Sequence, residues 1–280
     1  AAAAAKEPVR QPFEDLRAID FDRINVPVVP YGLGWKGALG VSPEQFAFSA
    51  DGEKFVRAVH AKLQGFSSAR DHLTVRMLAA NGVSNVRMTG CPAWYDESRL
   101  GKDYVFDANP KRVVLSMPAV PQAQVPELIA KLAKDFPKAQ RFMSFQAGYR
   151  STHSKKSAEY TRWNQKMRVL GALRGFKSVS FEADFDGFQN FMSGIDFHVG
   201  YRVHSHIFSI SQRKTSLLIA EDSRGIGQVA AMGGVALSAH DPFPVVASGI
   251  DALFDTRGAD IERAVQTMRG THATMLEFLA

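Results

Sequence analysis

The sequence predicts an α/β protein built on a largely parallel sheet, and three observations carry that prediction. From about residue 65 onward, short runs of β-branched and aromatic residues alternate with longer stretches of helical periodicity, the pattern of successive βαβ units. The runs are short and apolar, as strands covered on both faces are. Finally, 45% of the 280 residues are hydrophobic and 22% charged, too apolar for disorder and enough chain to bury a core without staples.

Ala1 to Ala5, followed at once by Lys6-Glu7-Pro8, do not resemble a natural start and carry no fold signal. Residues 6–60 are Pro-rich and irregular around one expected strand, Val26–Tyr31, and are too few for a complete sheet domain. Asp51–Leu63 is an expected linking helix with Phe55, Val59 and Leu63 on one side. Further strands are expected at Phe66–Ser68, Asn85–Thr89, Arg112–Ser116, Arg141–Phe145, Ser178–Phe181, Phe197–Val199 and Ser216–Ala220. Helices are expected at Asp71–Ala80, Ser157–Leu173, Phe185–Met192, Ser205–Ser211 and Gly225–Met232. The clearest helix sets Val125, Leu128, Ile129, Leu132, Ala133 and Phe136 on one stripe, with Lys131, Lys134 and Asp135 opposite. Pro126 falls in its first turn, where a missing N–H costs little. The last helix, near Ala259–Leu279, is expected to pack terminally or to return across a domain junction.

Composition also narrows function. The single cysteine can form neither an internal disulfide nor a Cys-based metal cage, which suits a reducing compartment. A net charge of +6 without a long Lys/Arg run fits anionic small molecules better than nucleic acid. Neither a membrane span nor a signal peptide is evident, so a cytoplasmic protein is expected. P-loop, GxGxxG after a strand, HExxH and GxSxG signatures do not occur, and no cofactor is expected.

Open parallel sheets bind ligands beyond the carboxyl ends of their strands. The residues that follow the expected strands are polar: Arg70 and Asp71; Thr89-Gly90-Cys91; Gln146, Tyr149 and Arg150; Glu182 and Asp184; Tyr201 to His206; and Glu221 to Arg224. An arginine-rich rim suits carboxylate or phosphate, which the guanidinium fork matches bidentately. Within Asp196–Ile207, Gly200 ends a strand, Arg202 and His204 lie in the turn, and Ser205 opens a helix whose free N–H groups attract an anion. The competing reading pairs Arg202 with a structural carboxylate and makes His204 a helix cap. His204 and His206 are spaced poorly for metal ligation, and no third ligand is in view. Cys91, without a partner base, reads as an inert thiol before a nucleophile. Asp184 and Asp186 read as helix caps before metal ligands.

The run Ser68-Ala69-Arg70-Asp71 before a helix, with Asn85 to Ala93 after it, resembles the S-x-R-D turn and T-x-D-P-A segment of the polysaccharide pyruvyl transferase family. Gly200-Tyr201-Arg202-Val203-His204 is similar to the family's G-x-R-x-H, and Leu217 to Arg224 to its later strand and D-S-R turn. Together these segments span about Phe66 to Met232. The resemblance implies a Rossmann-like donor domain of the GT-B type at residues 65–280. Residues 1–64 would then be a remnant of an N-terminal partner domain plus a linking helix, with that domain largely absent. It also implies transfer of a pyruvyl group from phosphoenolpyruvate to two hydroxyls of a bacterial surface-polysaccharide sugar, or of a lipid-linked precursor, as a ketal. On that reading Arg70, Arg202, Ser205 and Arg224 bind the donor. His204 is the acid, because a histidine between anionic groups keeps its proton, and Glu221, Asp222 or Glu182 is the base. Cys91 stands where the family often has Asp. The alternatives are a GT-B glycosyltransferase using a nucleotide sugar and an inactive anion-binding remnant.

Overall fold

The computed structural model describes residues 23–63, 65–150, 157–182, 184–234 and 236–280; the five alanines lie outside them. Among the described residues there are eight strands: β1 (Ser67–Ala69), β2 (Val86–Met88), β3 (Arg112–Ser116), β4 (Gln140–Phe145), β5 (Phe176–Ser180), β6 (Phe197–Gly200), β7 (Thr215–Ala220) and β8 (Leu237–Ser238). The last six form one sheet in the order β5-β4-β3-β6-β7-β8, every pairing parallel. This is a doubly wound arrangement: the chain runs outward from β3 to β5, returns to lie beside β3, and runs outward again. Its switch point lies between β3 and β6, the place beyond which open parallel sheets generally bind ligands.

Burial on both faces explains the short apolar strands. In β3, Val113 and Leu115 belong to one core with Leu128, Ile129 and Leu132 of α4 (Val125–Asp135). Val114 between them faces a second core with Phe188 and Met192 of α6 (Phe185–Ser193). Alternate residues thus enter opposite layers, and a polar residue on either face needs a hydrogen-bond partner within the protein.

β1 and β2 form a separate parallel pair joined by α2 (His72–Ala80), which Asp71 caps by accepting from Thr74 N–H at 2.7 Å. Val26–Tyr31 is not a strand. Pro27 and Pro30 lack the donors a ladder needs, and pairing is limited to an isolated parallel bridge between Leu33 and Ala69. The linking helix is α1 (Ala50–Ala61).

Two elements depart further from the sequence expectation. β8 is too short to show a period. α9 (Phe243–Asp255) carries Val246, Ile250 and Leu253 into the core, a helical stripe masked by Pro242 and Pro244 at its start. α5 (Ser157–Leu173) and α10 (Ala259–Leu279) match their expected bounds. α10 packs Ile261, Ala264, Val265 and Met268 into the main core, then sets Phe278 against Tyr31 and Phe66 beside the small sheet. It therefore bridges the two sheets.

The small sheet is also pinned to the large one at α8 (Ser223–Ala231). Ser223 N–H donates to the Gly37 carbonyl at 3.0 Å. The wholly buried Gln228 accepts from Trp94 Nε1 at 3.0 Å and donates to the Arg70 carbonyl at 3.1 Å. These bonds hold the end of β1, and with it Arg70, against the carboxyl ends of β6 and β7.

Candidate functional site

The candidate site lies where the end of β1 meets the starts of α7 (Val203–Ser211) and α8. β6 stops at Gly200, whose φ of 138° suits glycine and whose missing Cβ would stand 2.7 Å from Ser116 N. The chain turns there, and Arg202 becomes the residue preceding α7.

His204 is the meeting point. Its pKa falls below the ordinary imidazole value, first through partial burial and then through the charges of Arg224, Arg70 and Arg202. Three arginines from separate segments, one on the small sheet and two on the large, therefore act on one imidazole. This runs against the electrostatic premise of the sequence reading: burial first, and then the neighbouring cations, disfavour the protonated imidazole.

The arginines differ in their ties. Arg202 donates through Nε to the Met117 carbonyl at 2.7 Å and through Nη2 to the Pro118 carbonyl at 3.2 Å. Instead of pairing with a structural carboxylate, its guanidinium braces the loop after β3. Arg70 is looser. It packs over Gly34, lies 3.6 Å from Asp71 Oδ2 through Nε, and that buried Nε has no hydrogen-bond acceptor among the described residues. Arg224 is clasped by Asp222, with Nη2 donating to Oδ2 at 2.6 Å and Nε within 3.1 Å of both oxygens.

Among the acids, Glu221 accepts from Ala119 N–H at 2.8 Å, and burial raises its pKa against the opposing pull of Arg202. Asp222 caps α8 by accepting from Arg224 N–H at 3.0 Å and is further committed to the Arg224 ion pair. Glu182 packs against Gly148 at the end of β4, on the opposite side of β3 from the arginines.

Ser205 requires a correction. α7 opens two residues earlier than expected, so Ser205 lies inside its first turn, fully buried, with its hydroxyl accepting from Gln146 Nε2. That hydroxyl is spent on Gln146 in the interior. His206 is also buried, against Ser216 at 2.8 Å, while His204 faces the arginines. Asp184 caps α6 by accepting from Gly187 N–H at 2.9 Å. Burial pushes the Cys91 thiol up, the opposite of what a nucleophile needs. No group of three or more metal-ligating side chains occurs among the described residues, and no described helix is long and apolar enough to cross a membrane.

Sequence reasoning missed Ser116 and the 117–120 loop, which supply the acceptors and donors that hold Arg202 and Glu221. Their signal was positional: they follow the first strand of the large sheet, at the switch point.

The family described as polysaccharide pyruvyl transferase matches residues 13–223 of the chain. Among solved structures, the UDP-GlcNAc 2-epimerase of Neisseria meningitidis bound to UDP-GlcNAc is similar with a TM-score of 0.55 and 12% identity, covering 92% of this chain and 70% of that one. The S. aureus MnaA–UDP structure is similar at 0.50 and 12% identity, covering 81% and 63%. The accessory secretory protein 1, 2 and 3 structure of Streptococcus pneumoniae is similar at 0.51 and 9% identity, covering 96% and 52%. At such identities the likeness shows a common fold and nothing finer. None of the curated proteins matches this sequence.

Proposed function

The chain belongs to the polysaccharide pyruvyl transferase family, and from that membership we propose that it transfers a pyruvyl group from phosphoenolpyruvate to two hydroxyls of a surface-polysaccharide sugar or its lipid-linked precursor. The observation that carries this reading is that the charges of Arg224, Arg70 and Arg202 all act on His204. Phosphoenolpyruvate is a small molecule bearing a phosphate and a carboxylate, and guanidinium groups from two sides are suited to both. Residues 65–280 would form the donor-binding unit, in the cytoplasm.

In the proposed reaction the donor's negative charge first reverses the field at His204 and lifts its pKa, so the imidazole takes up a proton. His204 delivers it to the vinyl methylene, which becomes a methyl group and leaves cationic character at the neighbouring carbon. One sugar hydroxyl adds to that carbon. The second hydroxyl displaces inorganic phosphate and closes the ketal. Of the two hydroxyl protons released, one passes by way of the base to restore His204 and the other leaves with phosphate, so the sum balances. Glu221 is the better base of the two neighbouring acids, because burial raises its proton affinity while Asp222 is spent on Arg224.

Thermal stabilisation by phosphoenolpyruvate and not by UDP-GlcNAc supports this reading; the reverse would replace it with a nucleotide-sugar enzyme of the same fold. Phosphate release with a polysaccharide acceptor excludes an inactive anion-binding remnant.

A further inference from the structure

We propose that His198 is a positioning residue, which through Ser116 fixes the start of α7 and hence the places of Arg202 and His204. The proposal deepens the reading above and rests on it for its catalytic consequence.

A run of hydrogen bonds crosses the interior beneath the site. Arg202 N–H donates to Ser116 Oγ at 3.1 Å, and Ser116 Oγ meets His198 Nε2 at 2.8 Å. On its other side, His198 Nδ1 meets Ser216 Oγ at 2.8 Å, and Ser216 Oγ meets His206 Nδ1 at 2.8 Å. The four side chains come from β3, β6, β7 and α7, and none is more than 4% exposed. One set of protons satisfies every contact. Ser116 donates its hydroxyl hydrogen to His198 Nε2 and accepts from Arg202. His198 donates from Nδ1 to Ser216, and Ser216 donates to His206 Nδ1.

Both imidazoles are neutral, since burial drives His198 well below the ordinary value and His206 to about 3. The array keeps one charge state at physiological pH and acts as a strut. Its location is informative. An apolar side chain at this core position of β6 would avoid the cost of desolvating an imidazole. The bond that leaves the array ends on the backbone of Arg202, at the point where Gly200 offers no side chain of its own to anchor the turn. Ser116 supplies that anchor, and His198 orients Ser116.

Two isopolar substitutions separate this role from ordinary packing. His198→Gln places an amide near the position of Nε2 and keeps the bond to Ser116. His198→Asn reaches only the position of Nδ1 and keeps the bond to Ser216 instead. In the full chain, His198→Asn is expected to speed hydrogen exchange of the Arg202 amide about tenfold, with His198→Gln within about threefold of the parent. With phosphoenolpyruvate, kcat should fall for His198→Asn more than KM rises, and His198→Gln should rescue it. Ser116→Ala, a smaller perturbation, should reproduce the Asn result. Equal exchange for the Asn and Gln variants, or an unchanged Arg202 amide in Ser116→Ala, overturns the proposal. Absence of turnover by the parent would instead refute the proposed function, and the exchange comparison would still decide the role of His198.

Discussion

Arg202 and Arg70 are expected to respond differently to the same substitution. Arg202→Met keeps most of the stem and removes the guanidinium, which donates to the Met117 carbonyl at 2.7 Å and the Pro118 carbonyl at 3.2 Å. Hydrogen bonds from a charged group contribute roughly 1.5–3 kcal/mol each, and the loop carbonyls can be partly rewetted, so about 3 kcal/mol of stability should be lost. In a domain of this size that corresponds to a fall in Tm of about 6–12 °C. Arg70→Met removes a guanidinium whose Nε has no acceptor and whose ion pair with Asp71 is long at 3.6 Å. The Asp71 carboxylate keeps both bonds to Thr74, at 2.7 and 2.9 Å. The stability cost should therefore be about 1 kcal/mol, with a shift in Tm of only a few degrees. Affinity for phosphoenolpyruvate should nevertheless fall at least about tenfold in both variants, the loss of one charge-assisted contact. Differential scanning fluorimetry and isothermal titration calorimetry on the three proteins measure the two effects separately. The reasoning is refuted if Arg70→Met destabilises as much as Arg202→Met, or binds phosphoenolpyruvate as the parent does.

Acid sensitivity follows from the three histidines whose pKa values are lowered in the fold, His198, His204 and His206. At these three positions the unfolded chain binds more protons than the folded one below about pH 6.5, so their contribution to stability is complete above that pH and is lost as pH falls toward the folded values; this part of the fall in Tm between pH 7.5 and 5 should be smaller for His206→Gln. At pH 7.5, phosphoenolpyruvate binding should be accompanied by proton uptake, seen as a buffer-dependent calorimetric enthalpy, and His204→Gln should abolish the uptake while still binding donor. Gly200→Ala should destabilise by about 3 kcal/mol or more, since φ is 138° and the new Cβ would meet Ser116 N at 2.7 Å; chemical denaturation checks this. Asp222→Asn, which can still cap α8, should cost about 1 kcal/mol or less and retain turnover, whereas Glu221→Gln should lose kcat.

Much of this architecture is legible in the sequence because burial on two faces imposes a strict vocabulary. Short apolar strands such as Arg112–Ser116 and the striped helix at Val125–Asp135 admit few other conformations. Where local cues conflict, reading fails. Pro242 and Pro244 obscure α9, although Val246, Ile250 and Leu253 mark its buried face. Conversely, Val26–Tyr31 has strand composition but lacks the proline N–H groups that pairing requires. The site residues stood out because arginine and histidine follow strand ends. Their partners did not, since the carbonyls of Met117 and Pro118 are backbone groups about which side-chain type says nothing. The lowered pKa of His204 likewise comes from burial and from charges on three segments that only the fold brings near one another.

A crystal structure of the parent protein soaked with phosphoenolpyruvate tests the central claim most directly. The account predicts the donor between Arg70 and Arg202, its phosphate or carboxylate within hydrogen-bonding distance of each, and its methylene carbon facing the His204 ring. Donor density elsewhere on the molecule, or touching neither guanidinium group, would contradict it.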